Sequence, residues 1–276
     1  MSPHARDRAR EKRRNKKRQS VLAQREMDSR RNKQVLGIVL VMVVIIGGFV
    51  GLTFALNNRD KTAPSAHASA QPTSPRPTLA HPVTGCVAPP PVPTGKRSGT
   101  LPDKKTAAGK TFIATVTTNC GVMTFELYGT KAPQTVASFL SLAKSGYWSD
   151  SPCHRLTTAT PLFVLQCGDP TGTGSGTPGY GYGVENPPAN FTYPAGTLAM
   201  ARTSDPKSNG GQFFIVYKNT TLNDPTGYSI FGRITSGMDI VDRVAAAGAA
   251  PADANQNTAP LQPISILAVN VSEKKA

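Results

Sequence analysis

The chain has 276 residues, enough for one or two domains, with a formal net charge of +15, four cysteines and four histidines. The charge is concentrated at one end: residues 1–34 hold 13 Lys+Arg against 4 Asp+Glu, a net of +9, whereas residues 110–271 hold 9 of each, a net of 0. A neutral folded part argues against nucleic acid as a partner of an electropositive domain surface.

In chain order, the basic tail 1–34 leads into Val35–Leu56, 22 residues without a charge. At ~1.5 Å per residue they reach about 33 Å, enough for a bilayer core of about 30 Å. The run exceeds the ~7–15 residue core of a cleavable signal, so it reads as a retained transmembrane anchor. The Lys/Arg excess before it orients the tail to the cytoplasm and the rest of the chain outside. Residues 57–109 follow, with "QPTSPRPT" and "APPPVPTG". A composition rich in Pro, Ala, Ser and Thr cannot bury a core, and this stretch reads as a spacer.

The folded domain is expected over 110–272. "TFIATVTT" and "VMTFELY" read as two strands joined through "NCG". "APQTVASFLSLAKSG" reads as a helix, with Pro133 at its first position, Gly146 at its stop, and Val136, Phe139, Leu140 and Ala143 on one apolar face. "CHRL" and "FVLQCG" are short strands around "TTATP". A glycine-rich loop at 172–183 precedes three strand-like runs, "GTLAMAR", "GGQFFIVY" and "YSIFGRI". "SGMDIVDRVAAAG" is a second helix with Ile240, Val241 and Val244 facing inward, and "QPISILAVNVS" a last strand. Many strands with two separated helices predict a mainly β barrel or sandwich rather than a βαβ fold.

Most chemical readings of this domain are weak. Its one histidine, His154, is too few for a zinc site; Cys153 beside it points to the other face of the strand. No G-x-S-x-G elbow is present to make His154 the base of a hydrolase. "GSGTPG" at 174–179 matches a phosphate-loop pattern, but Pro178 and "YGYGVENPP" follow where a helix is needed. No metal or cofactor is expected. Arg155 remains, on a strand, with Phe163, Gln166, Met200, Gln212 and Phe214 on other strand-like runs.

"CHRL", "FVLQCGD", "GTLAMARTSDPKSNGGQFFI" and "FGRITSGMDIVDRV", in this order and spacing, resemble the cyclophilin family of peptidyl-prolyl isomerases, most closely its exported, membrane-anchored actinobacterial forms. The resemblance implies an eight-stranded antiparallel barrel capped by two α-helices, here preceded by one transmembrane helix, probing X-Pro bonds at its outer face. It implies Arg155 as the catalytic donor, an apolar pocket of Phe163, Met200, Phe214 and Leu222, backbone contacts from Gln166, Gln212 and Ala201, and Tyr228 at the rim where the family usually has histidine. It also sets "CHRL" beside "FVLQCG" as antiparallel strands, so that Cys153 pairs with Cys167 and, by default, Cys86 with Cys120. The partners it implies are proline-containing peptides and unfolded exported proteins, met by a monomeric domain. The sequence departs from the family pattern at Cys153, at Cys167, at Arg202 where many members have Asn, and at Leu222 where many have Trp. A non-catalytic proline-peptide binder on the same fold is the second reading.

Overall fold

A computed structural model describes residues 82–254 and 257–275. The basic tail, the apolar run 35–56 and the spacer as far as residue 81 lie outside the described residues, and the expected membrane helix lies there with them. Among the described residues no helix is long and apolar enough to cross a membrane.

Side-chain alternation builds the sheet. Phe112, Ala114 and Val116 of β1 (Thr111–Thr118) are buried, as are Met123, Phe125 and Leu127 of β2 (Gly121–Tyr128). This period of two places one face of each strand on the core. The two strands form the expected hairpin, with Thr118 opposite Gly121. Helix α1 (Pro133–Lys144) follows. Its start carries no side-chain cap of its own. Instead the Glu185 carboxylate, fifty residues away, accepts the backbone N–H groups of Gln134 at 3.1 Å and Thr135 at 2.8 Å. A carboxylate there satisfies two orphan donors and faces the positive end of the helix dipole. Its fully buried apolar residues are Val136, Ala137, Phe139 and Leu142; Leu140 and Ala143, expected on that face, are only partly buried.

Short strands come next: β3 (Ser151–Pro152), β4 (Arg155–Leu156), β5 (Val164–Cys167), β6 (Thr192–Tyr193), β7 (Thr197–Met200), β8 (Phe213–Val216), β9 (Thr220–Thr221) and β10 (Ile230–Ser236). Helix α2 (Met238–Ala246) buries Ile240, Val241 and Val244 as expected. It begins at Gly237 with φ 84°, where a Cβ would lie 2.7 Å from the Val122 carbonyl oxygen, so no other residue fits that turn. Strand β11 (Ser265–Glu273) follows.

The main sheet is antiparallel and curled, with nine strands in the order β3-β11-β1-β2-β10-β7-β8-β5-β4; β6 and β9 form a separate pair. The count corrects the expected eight. The segment 151–156 breaks at Cys153–His154, where it changes partner: β3 pairs with β11, and β4 with β5. The first and last strands of the sheet are thus joined by only two residues. Inside the curl, Phe125, Phe139, Trp148, Phe213 and Phe231 meet in edge-on or tilted contacts, with Phe139 and Trp148 centroids 4.6 Å apart. Full burial of such a side chain contributes about 1.5–3 kcal/mol.

The docked part of the domain begins at Val83 rather than Lys110. Val83 N–H donates to Gln262 at 2.8 Å, Val87 exchanges hydrogen bonds with Asn119, and Cys86 is joined to Cys120. Arg97 donates to the carbonyls of Gly146 and Tyr147, and Gly99 N–H to that of Pro178. A proline-rich chain needs no core of its own to lie extended on another surface, which is why composition alone misses this strap.

Candidate active site

Register assembles the site. Arg155 of β4 stands opposite Gln166 of β5, Gln166 opposite Phe214 of β8, and Phe214 opposite Ala199 of β7. These four residues form one row across four adjacent strands. One residue along each strand, Leu156, Leu165, Ile215 and Leu198 form the next row, and all four have zero exposure. The leucine–isoleucine row faces the core; the arginine row faces outward. Val164, Tyr193, Ala199, Phe214 and Val216 make a second, smaller apolar cluster on that outer side.

A cavity of about 140 Å³ opens over this cluster, lined by Arg155, Leu162, Val164, Gln166, Ala201, Arg202, Phe214, Leu222 and Tyr228. An apolar cavity near 150 Å³ accepts a benzene-sized ring, so a pyrrolidine ring fits on volume. A second cavity, of about 350 Å³, adjoins it and shares Gln166, Ala201 and Arg202. Its far wall is the glycine-rich loop.

Hydrogen bonds tie Arg155 to that loop. Arg155 Nη1 donates to Gln166 Oε1 at 3.4 Å, Gln166 Nε2 to Gln212 Oε1 at 2.9 Å, and Gln212 Nε2 to the carbonyls of Gly174 and Gly176, both at 2.9 Å. Gln212 has both donors and its acceptor committed, and flipping Gln166, which keeps one N–H in hand, would turn its amide nitrogen toward the Arg155 donor. The loop is held in turn by Asp169, which is fully buried and accepts from the N–H groups of Thr171, Gly174 and Gly176. Burial pushes the Asp169 carboxyl up, but hydrogen bonds from Gly176 and Thr171 outweigh it and hold the group below its usual range. The stretch 172–183 is therefore an organised wall in its first half. The signal was present in "DPTGTGSG": an acid followed by small side chains, with Gly176 where a Cβ would fall 1.9 Å from the carboxylate.

Of the residues expected from sequence, Arg155, Gln166, Ala201, Phe214, Leu222 and Tyr228 line the smaller cavity and Gln212 the larger. Phe163 and Met200 line neither. Met200 pairs with Phe213 and is 3% exposed in the main core, and Phe163 packs against that core with its ring 6.0 Å from Tyr217. Parity accounts for both. Leu162, Val164 and Gln166 share one face of the strand, which turns Phe163 to the other; Ala199 faces out, which turns Met200 in. Leu162, Val164 and Arg202 are the lining residues that sequence reasoning missed.

His154, next to Arg155, lies on the opposite side. It is 4% exposed, neither ring nitrogen has a protein hydrogen-bond partner, and it borders a separate cavity of about 710 Å³ with Pro152 and Asn257. Burial lowers its pKa, which keeps the imidazole neutral. Both expected disulfides are present, Cys153–Cys167 and Cys86–Cys120, and the first flanks the Arg155–Gln166 pair. Among the described residues no group of three or more His, Cys, Asp or Glu could hold a metal ion.

Comparison with known proteins identifies the family of this domain. The profile of the family described as "Cyclophilin type peptidyl-prolyl cis-trans isomerase/CLD" matches residues 113–271. A probable peptidyl-prolyl cis-trans isomerase B of Mycobacterium tuberculosis is 43% identical over 145 residues, 48% of this chain and 46% of that protein. Its counterpart in Mycobacterium leprae is 41% identical over 167 residues, 54% of this chain and 56% of that one. The chain thus spans about half the length of these relatives. A peptidyl-prolyl cis-trans isomerase-like 1 of Emericella nidulans is 38% identical over 162 residues, covering 58% of this chain and 94% of that protein. A cyclophilin-type isomerase of Cryptosporidium parvum, crystallised in the presence of the dipeptide Ala-Pro, aligns with a TM-score of 0.49 at 30% identity, over 59% of this chain and 99% of that one. With the profile matching more than half of its residues, the chain belongs to the cyclophilin-type peptidyl-prolyl cis-trans isomerase family.

Proposed function

We propose that this chain accelerates rotation about X-Pro bonds in exported polypeptides, from a domain held outside the membrane by the anchor at 35–56. The observation that carries the activity is the row Arg155–Gln166–Phe214 along a ring-sized cavity whose apolar side is made by Phe214, Val164, Leu162 and Leu222.

The chemistry needs no nucleophile. Amide resonance sets a barrier of about 18–20 kcal/mol to rotation. Acceleration requires groups that favour the twisted amide over both planar forms. On twisting, the proline nitrogen regains its lone pair and accepts a hydrogen bond. Arg155 is a fixed fork of donors at the cavity edge, placed to serve that nitrogen or the adjoining carbonyl. Phe214, Leu222, Leu162 and Val164 hold the ring, while the second N–H of Gln166, steadied by Gln212, and the Ala201 backbone hold the flanking peptide. Burial on the apolar floor excludes water that would otherwise compete for the nitrogen.

The location rests on the 22-residue uncharged run behind a tail of net +9, and on four cysteines paired as two disulfides, the state of thiols in an oxidising compartment. Two measurements test the reading. Exchange NMR on an Ala-Pro peptide with substoichiometric protein should show cis–trans cross-peaks; their absence, with binding retained, leaves the non-catalytic binder. A reporter active only outside the cytoplasm, fused after Ala276, should be active in the membrane fraction; activity confined to the soluble fraction contradicts the anchor.

A further inference from the structure

We propose that Arg202 is a positioning residue that pins the loop 222–228, so that Leu222 and Tyr228 form a standing wall of the cavity. Arg202 follows β7 and its side chain is only 3% exposed, which leaves little of it to meet a substrate directly. Its contacts run instead to one loop. Nε donates to the Gly227 carbonyl at 3.0 Å, Nη2 lies 2.7 Å from Asp224 Oδ2, and the guanidinium stacks 4.7 Å from the centre of the Tyr228 ring. Nη1 donates back to the Thr203 carbonyl at 2.9 Å, fixing the fork to its own strand end. Three points of the loop are thus held by one planar group, a geometry that a lysine point charge cannot reproduce.

The loop closes its own turn through Gly227 N–H to the Asp224 carbonyl and Thr226 N–H to Asp224 Oδ1, both at 2.9 Å, and its other ties to the fold lie at its two ends. Leu222 N–H bonds to the Phe191 carbonyl, and Tyr228 N–H to the Tyr193 hydroxyl at 2.8 Å. Tyr228 also rests edge-on against Phe214, 5.8 Å between centroids, on the floor of the cavity. Without Arg202 the ring loses the group stacked on it, the bonds to Gly227 and Asp224 go with it, and the middle of the loop must order itself on binding. Ordering costs reappear as weaker affinity, not as slower chemistry, because Arg155 and the glutamine chain stand on other strands.

This inference rests on the isomerase reading, and its test separates the two. In the full-length protein, Arg202→Ala should speed amide hydrogen exchange at 222–228 about tenfold or more, with exchange in β5 and β8 unchanged. KM for an X-Pro peptide should rise about tenfold, while kcat changes less than about threefold, the scale of one lost charge-assisted contact. Arg202→Lys should recover only part of the protection, and Asp224→Asn should show a smaller effect of the same kind. Unchanged exchange at 222–228 in Arg202→Ala overturns the pin, whether or not the protein proves to be an isomerase. A loss in kcat at constant KM overturns it as well, as does full rescue by lysine. If Arg202→Ala fails to fold, Asp224→Asn decides on the same exchange readout.

Discussion

Two neighbouring rows of residues cross the same four strands and live in different environments. Leu156, Leu165, Ile215 and Leu198 are closed to solvent in the main core; one residue along, Arg155, Gln166 and Phe214 line a cavity, with Ala199 buried in the apolar cluster on the same face. The two rows run through the same antiparallel strand pairs. Only the parity of the side chain differs, and parity decides between packing and chemistry. The inner row is apolar and interchangeable in kind. The outer row is chemically specific, and its polar members Arg155 and Gln166 are tied in series through Gln212 to the carbonyls of Gly174 and Gly176, 38 and 36 residues before it in the chain.

The difference can be broken from either side. The largest stability effect is expected on the inner row: Leu165→Ala should cost about 2–5 kcal/mol in denaturant unfolding, while activity per folded molecule stays within about threefold. A large loss of turnover at full folding would mean that the rows are not separable. Next in size is the staple between them. Replacing Cys153 and Cys167 together by Ser opens a loop of 15 residues, 153 to 167 inclusive, worth about 3 kcal/mol of stability. Thermal unfolding under non-reducing conditions reads this directly, and an unshifted midpoint would show that the bond constrains nothing. Gln212→Leu attacks the outer row through its support. It should lower kcat/KM about tenfold, by releasing Gln166 and hence Arg155, and change stability by about 1 kcal/mol. Wild-type kinetics in that variant would show that Arg155 needs no relay.

The smallest effect sharpens the contrast between His154 and Arg155. Burial depresses the His154 pKa in the folded state, so the unfolded chain binds its proton first. Stability from this residue is therefore full above the ordinary histidine value of about 6.5 and declines as pH falls from there toward the lower folded value. His154→Gln should flatten that slope and leave isomerisation intact. An unchanged slope, or a loss of activity with the fold preserved, would place His154 on the functional side.

Much of this was legible in the sequence, for reasons that also mark its limits. The hairpin, both helices, Arg155, Gln166, Gln212, Phe214 and the cysteine pairs follow from local pattern or from the family resemblance. Phe163 and Met200 were assigned to the pocket by resemblance, although a period of two counted from Gln166 selects Val164 and Leu162. The ninth strand arises where Cys153–His154 changes partner, a tertiary event with no local signal. The cap of α1 comes from Glu185 across the fold, and the strap from Val83 is held by contacts that its proline-rich composition does not announce. Arg202 was visible only as a departure from the family pattern; its role lies in what it touches.

The central claim is that the outer row performs the reaction and that Arg155 is its donor. Exchange NMR on an Ala-Pro peptide, comparing the intact protein with Arg155→Ala at equal folded concentration, tests it most directly. Removing a donor aimed at developing charge typically costs about 10²–10³ in rate. The account predicts a loss of that order, with the unfolding midpoint nearly unmoved because Arg155 is only half-buried. Near-normal exchange in a folded Arg155→Ala protein would contradict it.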